Sequence, residues 1–273
     1  MNNMKSQITN GMHREQARIS LKNQWGTMAW ITFLAVFIRF IIGSVIGSIA
    51  NLPQDSAGSN FMSFLLNNFL FFAITYGTYY CALQVLRGKR VQAGMLTTIF
   101  QGKFYIPMLV INLIQYVVEL LLNLIVLLPI LLSSGVTMYF GLMFNTVSVE
   151  QFQSEMGGDI FLALLLLIFG FLMILVGIFV SGVFQFAVWV KLDDPELSVG
   201  DALKYALFLM KGRFGQYLLL QISFIGWFII GALVFGIGLL WVIPYHDVAV
   251  ASFYDTAREE KGAPLVVDNE SNF

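Results

Sequence analysis

Residues 217–254 read YLLLQISFIGWFIIGALVFGIGLLWVIPYHDVAVASFY, and the way this run crosses a bilayer decides the fold. As one helix it would be roughly 57 Å long at about 1.5 Å per residue, nearly twice the thickness of the hydrocarbon layer. It is therefore one overlong helix or a tight hairpin. Gly231 and the triplet Gly236-Ile237-Gly238 fall near its middle, where glycine supplies the backbone freedom of a turn. The spacing predicts two helices, Tyr217–Leu233 and Ile237–Phe253.

Upstream, four more apolar runs are long enough to span: Thr27–Ile49, Phe61–Leu86, Tyr105–Leu128 and Ile160–Val190. The fold class expected is an all-α polytopic membrane bundle, six transmembrane helices arranged as three hairpins. Composition agrees, with 58% apolar and only 11% charged residues across 273 positions, too few polar groups to cover a water-facing surface. Lys and Arg test the helix count independently, because short translocated loops lose positive charge. With the N-terminus inside, 14 of the 15 fall in inner segments. The outer segments Ala50–Asn60 and Leu132–Asp159 and the glycine turn hold none, and the fifteenth, Arg39, lies inside the first helix. Five helices would place Arg258 and Lys261 outside, so six are favoured, with both termini cytoplasmic in a cell-membrane, multi-pass protein.

The expected organisation is a cytoplasmic N-terminal segment over residues 1–26, a single membrane domain over 27–257 and a disordered cytoplasmic tail over 258–273. The apolar run after Gly26 is too long for a signal-peptide core, so Thr27–Ile49 is read as a retained helix. Net charge is −1, which gives no basic field for nucleic acid. The one cysteine, Cys81, excludes an internal disulfide framework and reads as a small apolar filler.

Each odd-numbered helix is entered through an apolar, polar-or-basic, aromatic sequence: Leu21-Lys22-Asn23-Gln24-Trp25, Phe100-Gln101-Gly102-Lys103-Phe104 and Met210-Lys211-Gly212-Arg213-Phe214. A short stretch with an apolar stripe precedes each: Ala17/Leu21, Met95/Ile99 and Leu203/Leu207/Met210, the last with a helix cap expected at Ser198. The unit is an interfacial helix feeding a hairpin, used three times. Its expected lipid contacts are Lys22, Trp25, Lys103, Phe104, Lys211, Arg213 and Phe214, basic groups toward anionic headgroups and rings at the hydrocarbon edge.

The last third has the most specific wording: Asp193-Asp194-Pro195, Ser223-Phe224-Ile225-Gly226-Trp227, Gly236-Ile237-Gly238, Leu240-Trp241-Val242-Ile243-Pro244-Tyr245 and Phe253-Tyr254, in that order. Together with Lys22-x-x-Trp25-Gly26 these resemble an uncharacterised family of integral membrane proteins, mostly from Gram-positive bacteria, classed as a domain of unknown function. The resemblance implies no activity, cofactor or catalytic residue. Neither Arg39 nor His246-Asp247 belongs to the shared pattern. Small residues at Gly226, Gly231, Gly236, Gly238, Gly43/Gly47 and Gly177/Ser181 read as sites of close helix approach. Pro244 is expected to kink the last helix and free backbone carbonyls.

Ionisable groups inside a membrane are costly and mark function or a fixed helix contact. From the inner boundary Arg39 lies roughly 18 Å deep and Glu119 roughly 21 Å, at about 1.5 Å per residue, with Asp247 at a similar depth. Arg39 is expected to pair with Glu119 or Asp247, leaving one carboxylate beside His246 to exchange a proton; the bland counterpart is an ion pair that only fixes packing. Asn112, Gln115, Glu119 and Asn123 recur on one face of the third helix and would line a narrow polar cavity or bond to other helices. The candidate intramembrane polar site is thus Arg39, Asn112, Gln115, Glu119, His246 and Asp247.

No Gly-x-x-x-x-Gly-Lys-Ser/Thr loop, His-Glu-x-x-His or Gly-x-Ser-x-Gly occurs, and the imidazoles are His13 and His246 alone. An enzyme is not expected, nor a cofactor or metal. The partners expected are membrane lipids and other membrane proteins. Two classes stay open. A non-enzymatic scaffold or envelope-homeostasis factor is favoured, because only the last helix is visibly interrupted, whereas a carrier tends to show matched broken helices. The alternative is a small transporter or export component for a lipid-like or amphipathic cargo, proton-linked through the buried charges.

Overall fold

The computed structural model describes residues 9–50, 56–128, 138–144, 146–148, 150–151, 154 and 160–262. The described chain is helical, with no strand among the described residues. Helix α1 spans Asn10–Leu21, α2 Trp25–Ala50, α3 Ala57–Leu65 and α4 Phe72–Leu86. Next come α5 over Gly102–Val126, α6 over Ile160–Asp193, α7 over Val199–Met210, α8 over Phe214–Leu233 and α9 over Leu239–Lys261. A π-helical turn, Leu66–Phe71, joins α3 to α4, and a 3-10 segment, Ala93–Phe100, precedes α5.

Five helical stretches are long and apolar enough to cross a membrane: Trp25–Ile49, Ala57–Leu86, Gly102–Ile125, Ala163–Asp193 and Phe214–Leu233. Val36, Phe40, Ile49, Leu121, Leu167, Phe171, Ile229 and Leu233 stand exposed along them. An exposed apolar belt of that extent fits a lipid surround rather than water. The turn between α8 and α9 falls at residues 234–238, with Phe235 at φ 51° and Gly236 at φ 75°. A Cβ on Gly238 would stand 2.7 Å from the Gly231 Cα, so two glycines let the helices meet directly behind the turn. Gly226, Gly43, Gly47 and Gly177 do not serve this way; each faces open space. A close approach to backbone is found instead at Gly77, where a Cβ would lie 2.3 Å from the Leu96 carbonyl oxygen.

The starts of α2, α5 and α8 and the ends of α4, α6 and α9 gather at one end, here called the base. Packing is dense there: Leu83 and Val85 of α4 and Val248, Ala249 and Tyr254 of α9 are fully enclosed. Small side chains along α9 let α1, α2, α4 and α8 close around it. Phe186, Trp189, Tyr217, Phe253 and Tyr254 form an aromatic cluster with tilted or edge contacts at 5.3–6.1 Å. The Trp189 Nε1 donates to the Tyr79 carbonyl at 2.9 Å, so its one polar atom is satisfied inside the core.

The segments expected to lie along lipid turn their stripes into the protein. Ala17 and Leu21 of α1 are buried, with His13 against α9; Leu96 and Ile99 pack beneath α4; Ala202, Ala206 and Leu209 of α7 are covered. The second is a 3-10 segment rather than an α-helix, and Leu207 faces outward. Sequence periodicity identifies the stripe but cannot say whether lipid or protein covers it. The Ser198 cap is present: its hydroxyl accepts from the Asp201 amide at 3.1 Å and donates to the Asp201 carboxylate at 2.7 Å. Helix α9 continues to Lys261, so the first residues assigned to the tail are helical, while residues 263–273 lie outside those described. The same holds for most of the expected outer segments, including Asp55, Glu155 and Asp159.

Candidate functional site

The π turn shapes the site. Widening one turn by a residue disturbs the ordinary ladder of hydrogen bonds, and carbonyls loosened within a bundle need partners from neighbouring helices. Helix α5 provides them. Asn112 Nδ2 donates to both the backbone and side-chain oxygens of Asn68 at 3.2 Å, and the Tyr105 hydroxyl donates to the Phe69 carbonyl at 2.6 Å. The loosened carbonyls thus lie on the π turn, between the membrane-crossing stretches, whereas Pro244 falls in the second turn of α9.

Beside the π turn, between α2, α4, α5 and α6, is a polar cavity of about 470 Å³. Arg39, Asn112, Gln115 and Glu119 all line it, joined by Tyr76 and Gln185. Asn123, on the same face of α5 in sequence, does not. The Tyr76 hydroxyl donates to Gln115 Oε1 at 3.4 Å, and Gln115 Nε2 donates to Glu119 Oε1 at 2.8 Å. Glu119 is exposed at the rim together with Asn60, Ser63 and Asn67.

Arg39 is brought into the same cavity as Glu119 but does not pair with it. Among the described residues it has no carboxylate within ion-pair distance; its guanidinium lies over the Phe71 ring, 5.3 Å from the centroid. Nor does it pair with Asp247. A smaller adjoining cavity of about 220 Å³ is lined by Arg39, Tyr79 and Asp247, so the guanidinium sits between two cavities that each hold a carboxylate. The expectation of an ion pair followed from matched depth along the helices. Depth does not fix the rotation of each helix, and that rotation keeps the charges apart. Gln185, 7% exposed, also faces the first cavity, and its Nε2 has no hydrogen-bond partner among the described residues.

His246 and Asp247 form a separate group. Nδ1 of His246 is 3.1 Å from Asp247 Oδ1 and Nε2 is 2.7 Å from Gln221 Oε1, with Phe224 and Phe228 at the ring. An imidazole with a carboxylate on one nitrogen and an amide on the other has its tautomer set by those partners.

Of the seven expected lipid contacts, Phe104 and Arg213 are buried. Arg213 forms an ion pair with Glu260 at the end of α9. Trp25 packs against Tyr245 at 5.9 Å and Phe214 against Phe179 at 5.2 Å. Lys22, Lys103 and Lys211 are exposed, and the Lys211 carbonyl accepts from Lys261 Nζ at 2.7 Å.

Sequence reasoning treated Arg87 and Arg258 only as a topology signal and missed how they are paired. Arg87 makes two bonds to Asp193, at 2.6 and 2.9 Å, and two to Asp255, at 2.7 and 3.1 Å. Arg258 pairs with Asp193 and, at 2.9 Å, with Asp194, while the Tyr254 hydroxyl donates to Asp193 at 3.0 Å. Bonding to Asp193 raises the Arg87 pKa. This clamp ties α4, α6 and α9 together. The Asp-Asp-Pro wording was visible, but not its partners more than 60 positions away. On α1, His13 Nδ1 meets Ser252 Oγ at 2.9 Å, and burial, helped by Arg213, lowers its pKa to about 4.

No match was found among the curated proteins or the solved structures. The family model described as "Protein of unknown function (DUF975)" matches residues 5–261, which takes in α1, the cavity and the basal clamp alike. This chain belongs to that family of unknown function.

Proposed function

We propose that the chain is a six-span membrane protein, its base and both termini on the cytoplasmic side, that acts by binding rather than catalysis and takes an amphipathic molecule into the cavity beside the π turn. The observation that carries it is a polar cavity, built between helices of membrane-crossing length, that contains an arginine without a carboxylate partner. Beyond its contact with the Phe71 ring, a half-buried guanidinium at that depth needs hydrogen-bond acceptors from water, lipid or a ligand. The sixth crossing, over the first part of α9, rests on the distribution of Lys and Arg and on the direct Gly231–Gly238 contact. With the base inside, the rim residues Asn60 and Ser63, at the other end of α3, face outward.

A carrier or export component for a lipid-like cargo fits this arrangement better than a scaffold. The scaffold reading rested on the last helix alone being visibly interrupted, and the π turn between α3 and α4 is a second interruption. Native mass spectrometry of the chain purified in mild detergent tests the proposal. The unmodified chain should retain an amphipathic molecule that Ser181→Trp, which fills the cavity, loses. Equal retention by both would refute it.

A further inference from the structure

We infer that the cavity is built for a headgroup carrying both a phosphate-type acid and an amine, with the acid held by Arg39 and Gln185 and the amine by Glu119. The inference rests on the binding role proposed above and adds the chemistry of what is bound.

Its inner donors lack acceptors. Among the described residues Arg39, with five N–H groups, has no carboxylate within ion-pair distance, and the amide nitrogen of the buried Gln185 has no partner. Both face the same space. Leaving a buried donor unsatisfied is costly, so this wall is complementary to a group that presents several acceptor oxygens. Of the neighbouring polar groups, Asn112 is engaged with Asn68 and Tyr76 with Gln115.

At the rim the charge reverses. Gln115 occupies one oxygen of Glu119, and the other oxygen has no described partner. The cavity therefore holds one positive and one negative side chain that are not paired with each other. A purely anionic headgroup would satisfy Arg39 but be repelled by Glu119; a cation would do the reverse. A zwitterion with its acid inward and its amine outward satisfies both.

The volume of about 470 Å³ suits a headgroup but not its chains. A second cavity of about 520 Å³ shares Ser63 and Asn67 with the first and runs between α2 and α3, its wall mixing Ser44, Ser48 and Ser59 with Ile46, Met62, Leu66 and Phe71. It is placed to take an acyl chain whose headgroup sits beside Arg39. The same headgroup chemistry could come from free phosphoethanolamine or from phosphatidylethanolamine, and the adjoining cavity, which runs between two stretches of membrane-crossing length past Ile46, Met62, Leu66 and Phe71, favours the lipid.

The experiment is a native mass-spectrometry titration of the full chain with phosphatidylethanolamine, phosphatidylglycerol and soluble phosphoethanolamine. The ethanolamine lipid should bind about ten-fold tighter than the glycerol lipid, the equivalent of about 1.4 kcal/mol. Glu119→Gln, at an exposed position, should abolish that preference, bringing the two lipids to equal affinity. Arg39→Gln and Gln185→Leu should weaken both lipids, with Arg39→Lys restoring part of the loss if the first variant folds poorly. Equal or tighter binding of phosphatidylglycerol, or a preference that survives Glu119→Gln, would overturn the headgroup assignment while leaving the binding role standing. Binding of none of the three probes would overturn the binding role itself. Soluble phosphoethanolamine binding as tightly as the lipid would overturn the lipid source.

Discussion

Replacing Asp193 with Asn removes the centre of the basal clamp while keeping the shape of the side chain. Asp193 accepts two bonds from Arg87, one from Arg258 and one from the Tyr254 hydroxyl. Its side chain is 9% exposed, against 29% for Arg87 and 25% for Arg258. Breaking one partner out of a buried ion pair costs roughly 3–5 kcal/mol. Arg87 keeps Asp255 and Arg258 keeps Asp194, so the lower end, about 3 kcal/mol, is expected. That corresponds to a fall in Tm of roughly 6–12 °C for a chain of this size. Asp194→Asn is the internal control: its side chain is 38% exposed and meets Arg258 alone, so about 1 kcal/mol or less should be lost. Thermal unfolding of both variants in the same detergent measures the difference. Equal shifts, or an unchanged Tm for Asp193→Asn, would refute the clamp as a stabilising device.

Gly77→Ala would drive a methyl group into the Leu96 carbonyl, lowering stability by about 1–3 kcal/mol, whereas Gly43→Ala and Gly47→Ala should leave it unchanged; the three Tm values decide. His13 is neutral in the fold, with its pKa lowered from 6.5 to about 4 by burial and by Arg213. The unfolded chain then binds the extra proton between those values, so the stabilisation from His13 is complete above pH 6.5 and fades as pH falls toward 4. Over that window Tm should drop further for the unmodified chain than for His13→Gln, and parallel curves would contradict the coupling.

What the sequence made legible follows from what each signal encodes. Long apolar runs report membrane-crossing length whatever their neighbours do, so the helices near Trp25, Ala57, Gly102, Ile160 and Phe214 could be read directly. The turn at Gly236 was legible because its backbone conformation, φ 75°, favours glycine. The polar face of α5 was legible from spacing, and Asn112, Gln115 and Glu119 do share a cavity. The π turn was not, because an extra residue in one helical turn leaves no mark in composition; nor was its consequence, the capture of the Asn68 and Phe69 carbonyls by α5. Arg39 was found by its depth, but its lack of an ion partner depends on helix rotation. Gln185 was visible as one polar residue among several in the spans; only packing shows that its amide nitrogen is buried, unpaired and aimed at the cavity.

The most direct test of the account is labelling of intact cells with a membrane-impermeant maleimide, using Asn67→Cys at the cavity rim and Glu259→Cys at the base. The native cysteine, Cys81, is buried and gives a low background. Asn67→Cys should react from outside, while Glu259→Cys should react only after the membrane is opened. Reaction of both from the same side, or an Asn67→Cys that reacts under neither condition, would contradict a water-reached cavity facing away from a cytoplasmic base.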